Sequence, residues 1–233
     1  MSDPAAAGSV SLLLAQPAGS FTGVLFIAGV ALAGACLSFL ADLLIRRTLP
    51  RLGGPLTVRT RITTALATFA LSALLAWRFG LSPELPAYIL LAVAGVQLAR
   101  TDVQHHLLPN RMVLPLLGAG IVLLGAAAGV SGEAGSLLRG VAGALILFIL
   151  YLVLALTSRN GLGMGDVKLA APLGLYLGYL GWTHLFYGGA LGFVAGGVAS
   201  VLLVLKNRGS KPNEVPYGPS MLAAGLAIIL MLP

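Results

Sequence analysis

The sequence predicts an all-α, polytopic transmembrane helix bundle of about eight spans with its N-terminus outside. Three observations carry this reading. Of the 233 residues, 58% are apolar and only 9% are charged, and the mean hydropathy is +0.98; an ordinary soluble domain carries about 25% charged residues. The apolar residues gather in long runs without period-2 alternation, too long for barrel strands and right for helices that satisfy their own backbone in lipid. The basic residues fall in the short connections between runs, as orienting loop charges do. A soluble monomer and a disordered chain are both excluded, and the formal net charge of +7 reads as membrane orientation rather than as a nucleic-acid surface.

The elements follow in order. Residues 1–20 hold a mildly apolar stretch, Val10–Ala15, with no basic region before it, and read as a tail rather than a cleaved signal peptide. The run 21–45 can cross a bilayer alone, and a basic connector fills 46–61. The chain therefore divides into 1–61 (tail, first helix and connector) and 62–233 (the membrane-embedded core). The runs 62–80, 86–101, 112–130 and 137–157 follow. The sixth, 167–181, is the least regular, being short and broken by Pro172 and several glycines. The runs 184–205 and 219–232 complete the bundle. Glycines at Gly174–Gly178 and Gly192–Gly196 suit close helix approach. With the N-terminus outside, the inner loops hold Arg46, Arg47, Arg51, Arg59, Arg61, Arg100, Arg111, Arg159, Lys168, Lys206, Arg208 and Lys211, leaving only Arg78 and Arg139 outside.

Seven acidic residues remain to be placed. Asp3, Glu84, Glu133 and Glu214 fall in connections and read as solvated charges; Asp42, near the inner end of the first helix, reads as an interface residue. Asp102 and Asp166 stand at inner membrane edges beside apolar helices, where carboxylates are costly and mark function. Asp102 opens Asp102-Val103-Gln104-His105-His106-Leu107-Leu108-Pro109-Asn110, where a helix ends and the chain turns. Asp166 closes Gly161-Leu162-Gly163-Met164-Gly165-Asp166, whose glycines let the backbone approach a ligand or a neighbouring helix. No strand precedes that run, so it is not a dinucleotide fingerprint. The single cysteine, Cys36, lies in an apolar run and builds neither a disulfide framework nor a CxxC site.

Three pieces of this sequence resemble the bacterial type IV prepilin peptidases, membrane-embedded aspartic proteases of the GxGD type. They are the Asp102 segment ending in Leu108-Pro109-Asn110, the Gly163-Met164-Gly165-Asp166-Val167-Lys168-Leu169 run, and Val215-Pro216-Tyr217-Gly218-Pro219 ahead of the last helix. The resemblance covers about residues 86–230. It implies a catalytic pair, Asp102 and Asp166, with Pro109, Gly163, Gly165, Lys168, Gly218 and Pro219 as supporting motif positions. It also implies no metal and no cofactor, a bacterial cytoplasmic membrane, and a prepilin or pseudopilin substrate with a short basic leader, a cleavage site after glycine and an apolar helix beyond it. Longer members carry a cytoplasmic insert with two CxxC pairs after the first helix and also methylate the new N-terminus; here 46–61 is a cysteine-free connector, and methyl transfer is not expected.

Two carboxylates sharing one proton can hydrolyse a peptide bond, one activating water while the other serves the leaving nitrogen. Asp166 at a helix start, facing the positive dipole end, reads as the base; Asp102 at a helix end reads as the proton holder. Lys168, two positions on, points away and reads as an interfacial anchor. Three rival readings have a motif behind them. Gly129-Val130-Ser131-Gly132 with His184 would be a serine-protease arrangement on the outer face, but Ser131 reads as a loop residue and His184 as interfacial. Asp102 with His105 and His106 has a possible metal-ligand spacing, but adjacent histidines at an interface read as polar anchors. A transporter or structural component using Asp102 and Asp166 for protons or cations is the non-enzyme alternative, yet no repeat is visible.

Overall fold

The computed structural model describes residues 21–48, 57–105, 108–157, 163–206 and 217–233. The described residues form eight α-helices and no strand: α1 (Phe21–Thr48), α2 (Val58–Phe79), α3 (Leu85–His105), α4 (Asn110–Ser131), α5 (Ala134–Thr157), α6 (Met164–Leu180), α7 (Trp182–Lys206) and α8 (Gly218–Met231). Each grows from one apolar run of the sequence. Among them α1, α2, α4 and α5 are long and apolar enough to cross a membrane by length and composition, and α8 is a shorter apolar helix. The chain is an all-α, multi-pass membrane bundle.

Local chemistry sets the helix ends. Thr57 caps α2 by accepting from the Thr60 N–H at 3.3 Å. Gly80 (φ 57°) and Gly132 (φ 74°) end α2 and α4 in backbone conformations that favour glycine. Pro109 precedes α4, where a missing N–H costs nothing. Ser131 is the last residue of α4 rather than a loop residue.

Packing places α3 and α6 at the centre. α4 and α8 each lie against both; α1 and α2 cover the outer side of α3, and α5 and α7 that of α6. The run that is least regular in sequence becomes the most enclosed helix, with twelve of its 17 residues buried, Pro172 included. The reason is glycine. A Cβ on Gly143 of α5 would lie 2.5 Å from the Gly174 carbonyl oxygen, and one on Gly178 would lie 2.8 Å from the Arg139 carbonyl oxygen. Backbone therefore rests on backbone where α5 crosses α6. Arg139 reinforces the crossing, donating to the Gly178 carbonyl at 2.8 Å and the Tyr179 carbonyl at 2.6 Å, the free acceptors at the α6 C-terminus.

α3 and α6 run antiparallel. At one end the Tyr88 hydroxyl donates to the Tyr176 carbonyl at 3.0 Å, and Phe79 stacks on Tyr88. At the other end lie the last turn of α3 and the first turn of α6. Arg46, Arg47, Arg59, Arg61, Arg100, Arg111 and Lys168 lie in the helix turns at that second end; among the described basic residues only Arg78 and Arg139 lie at the first. The outward faces carry large apolar side chains, including Trp77, Leu138, Leu156 and Phe186, as lipid contact requires and water would not.

α1 is held differently. Its buried positions are Ala31, Gly34, Ser38, Asp42 and Ile45, one narrow stripe of mostly small or polar residues. Gln97 Nε2 donates to the Ser38 carbonyl and hydroxyl, each at 3.1 Å, and Arg100 pairs with Asp42. Asp42 is 2% exposed. It is therefore a buried partner of α3 rather than a solvated charge, and Arg100 forms an interhelical ion pair rather than standing as a loop charge. His184, expected at an interface, is buried at the start of α7 beside Arg78 and Leu232.

Two outcomes follow for purified protein melted in detergent. Asp42→Ala leaves Arg100 buried alone and lowers stability by about 3–5 kcal/mol, while Asp42→Ala combined with Arg100→Leu loses clearly less. Gly143→Val forces α5 off the α6 backbone and lowers stability by about 1–3 kcal/mol.

Candidate active site

Asp166 owes its position to the start of α6. Gly163 is the N-cap and lacks a capping side chain, so Asp166, in the first turn, supplies one. Its carboxylate hydrogen-bonds the Gly163 backbone, while its own N–H donates to the Gly163 carbonyl at 3.0 Å. The carboxylate supplies one half of a capping box; the other half, an N-cap side chain, is missing at glycine, and a backbone turn bond stands in its place. Oδ2 lies on the Gly163 side, 3.2 Å from where a Cβ there would stand. Oδ1 is buried with no hydrogen-bond partner. The side chain is 7% exposed.

Asp102 stands in the last turn of α3 and is 5% exposed. Its Oδ2 accepts the Gly218 N–H at 3.1 Å. Gly218 is the first residue of α8, followed by Pro219, whose ring suits a first turn that needs no N–H there. A Cβ on Gly218 would sit 2.8 Å from that same Oδ2. Glycine at 218 is thus a condition of the contact.

Each carboxylate therefore sits at a helix N-terminus, Asp166 on its own helix and Asp102 on α8. The sequence reading expects Asp166 at a helix start and Asp102 at a helix end, and the structure places them so; which is base and which proton holder does not follow from that placement alone. The α3 C-terminus behind Asp102 is opposed by the α8 N-terminus in front of it, and the dipoles supply no such distinction.

Leu108 joins the two halves. A Cβ on Gly165 would lie 2.9 Å from the Leu108 Cβ, and one on Gly218 would lie 3.3 Å from its Cδ1. The leucine of the turn after α3 thus touches the glycine before Asp166 and the glycine that holds Asp102. The charge of Asp102 acts on the Asp166 carboxyl, and that of Asp166 reaches Tyr151 and Tyr217. Two nearly enclosed carboxylates converge at one end of the bundle, and like charges so placed resist being ionised together. Such a pair can hold one proton and orient one water, the requirements of acid–base hydrolysis.

The remaining expected positions fall around this centre. Gly163, Gly165 and Gly218 border it, while Pro109 and Pro219 stand at the starts of α4 and α8, next in the chain to Leu108 and Gly218. Lys168 turns outward and donates to Asn110 Oδ1 at 2.9 Å, tying the start of α6 to the start of α4. His105 is exposed, and His106 lies outside the described residues. Among the described residues no three His, Cys, Asp or Glu side chains group as a metal site. Ser131 and His184 lie at the opposite end of the bundle, the first exposed and the second buried. Cys36 is exposed on α1.

Sequence reading missed the backbone partner of Asp102, the contacts of Leu108, and the Asp42–Arg100 pair two residues before Asp102. The Gly-Pro lead-in to the last helix signalled the first. Nothing local signalled the other two.

Residues 87–201 match the profile described as the type IV leader peptidase family. Among curated proteins, the chain is 34% identical over 166 residues to a prepilin leader peptidase/N-methyltransferase of Stutzerimonas stutzeri, covering 71% of this chain and 56% of that protein. It is 32% identical over 168 residues to the protein of that name from Pseudomonas aeruginosa, again covering 71% and 56%. A third, from Aeromonas hydrophila, is 32% identical over 173 residues, 72% of this chain and 56% of that protein. The chain thus spans just over half the length of these relatives. No solved structure matches it. Residues 87–201, which carry both aspartates, belong to the type IV leader peptidase family.

Proposed function

We propose that this chain is a membrane aspartic endopeptidase that removes the basic leader from type IV prepilins or pseudopilins at the cytoplasmic face of the bacterial inner membrane. The observation that carries the reading is the convergence of Asp102 and Asp166, from the two central helices, at one end of the bundle. The names of the curated relatives supply the substrate class, and the basic residues gathered at the aspartate end support the cytoplasmic face.

The chemistry follows from the pair. One carboxylate takes a proton from water as its oxygen attacks the scissile carbonyl carbon. The protonated partner hydrogen-bonds the carbonyl oxygen. When the C–N bond breaks, a proton passes from the pair to the leaving nitrogen, and the shared proton is restored. Asp166 Oδ1 is buried and unpartnered, so it is the oxygen whose lone pairs are free to receive that proton once substrate and water enter. The substrate's basic leader stays in the aqueous phase while its apolar helix lies against the bundle, so the scissile bond comes to the membrane edge.

Methyl transfer, the second activity in the relatives' names, is not part of this proposal. The chain's single cysteine is Cys36 on α1, and residues 46–61 offer no thiolate zinc site.

In detergent with a purified prepilin, Asp102→Asn and Asp166→Asn each reduce leader cleavage by about 10³-fold or more, because neither half of the pair works alone. Normal processing by either variant would return the aspartates to proton or cation handling. Mass analysis of the released mature pilin, with a methyl donor present, shows a free and unmethylated N-terminal amine.

A further inference from the structure

We infer that Gly196 of α7 is a positioning residue for Asp102, acting through Tyr217 and the Gly218 amide. This inference rests on the proposal that Asp102 is catalytic. α7 brings neither aspartate to the site, yet one of its positions fixes a contact that an aspartate needs.

The chain of contacts is short. A Cβ on Gly196 would fall 2.0 Å from Cε1 of Tyr217 and 2.4 Å from its Cδ1 and Cζ. The tyrosine ring lies in the notch that the glycine leaves. The Tyr217 hydroxyl donates to the Phe193 carbonyl at 3.0 Å, three residues earlier on α7. The ring is therefore gripped along its length by the α7 backbone. The next residue, Gly218, donates its N–H to Asp102 Oδ2. A ring seated in the notch sets the start of α8, and the start of α8 sets the carboxylate.

A methyl group at position 196 cannot be absorbed by a small rotation. The ring must be displaced from the notch, and with it goes the Tyr217 hydroxyl's hold on the Phe193 carbonyl, the grip that seats the residue next to the Gly218 amide. Gly192, one turn earlier on α7, provides the contrast. A Cβ there meets the Tyr151 hydroxyl at 3.4 Å and the Met221 Cα at 3.6 Å, ordinary packing distances. Position 192 also faces the neighbouring helices but does not hold the ring.

The experiment measures kcat and KM for prepilin cleavage, with a detergent melt for each variant: Gly192→Ala, Gly196→Ala, Tyr217→Leu, Gly196→Ala with Tyr217→Leu, and Asp102→Asn. Gly196→Ala is expected to lower kcat on the order of 10²-fold, with KM within about twofold, because a carboxylate displaced by about 1 Å is misaligned without loss of substrate binding. Tyr217→Leu, which leaves α7 intact, shows the same signature if Gly196→Ala does not accumulate. The double variant loses no more kcat than Tyr217→Leu alone, because both changes act through the one ring. Gly192→Ala keeps wild-type kcat. Wild-type kcat in Gly196→Ala, equal losses in Gly192→Ala and Gly196→Ala, or additive losses in the double variant would each overturn the inference. Full activity in Asp102→Asn would instead overturn the aspartic reading beneath it.

Discussion

A carboxylate at the end of a lipid-facing bundle is tolerable only where something replaces its hydration. Here backbone N–H groups at helix starts do so, since the first turn of a helix has donors with no intrahelical acceptor. Asp166 draws on the turn it belongs to. Asp102 draws on α8, 116 residues further along the chain. The arrangement of α3, α6 and α8 follows from this need, because each donor must point at one oxygen. Side-chain donors would need room, and the space beside Gly218 is already filled by Asp102 and Leu108.

Closeness of this kind has to come from small residues. Between helices in lipid there is no water to expel, so packing and directed polar contacts decide which faces meet. Gly143 and Gly174 bring the α5 and α6 backbones together, Gly165 admits Leu108, and Gly196 admits a whole aromatic ring. The interior of α6 is thus defined largely by what its neighbours lack. That explains why a helix interrupted by Pro172 can be the most enclosed of the eight. Its neighbours fit around the irregular backbone and shield it from lipid.

The helices were legible because apolar runs and their breaks are local properties: all eight formed where the hydropathy rises, and α2, α4 and α6 ended at glycine. The candidate pair was legible because carboxylates beside apolar runs are few, and because the glycines before Asp166 flagged close approach. What escaped was relational. Asp42 and Arg100 look like two interfacial charges until α1 is laid beside α3 with the right offset. Asp102 looks like a residue at a helix C-terminus until a different helix begins against it. Gly196 looks like one of 31 glycines until a ring is found in its place. No window on the sequence contains both members of any of these contacts.

The narrow stripe on α1 has a consequence for biogenesis. α1 precedes α3 along the chain, so Asp42 emerges before Arg100 has been made. Until then it is an unpaired anion on a helix whose other faces suit lipid. Its pairing requires one offset of α1 against α3, and a slip by a single turn would strand both charges in hydrocarbon. The ion pair therefore fixes the register of the first helix: an apolar stripe alone would let it rest beside its neighbours in many ways, and the charges admit one.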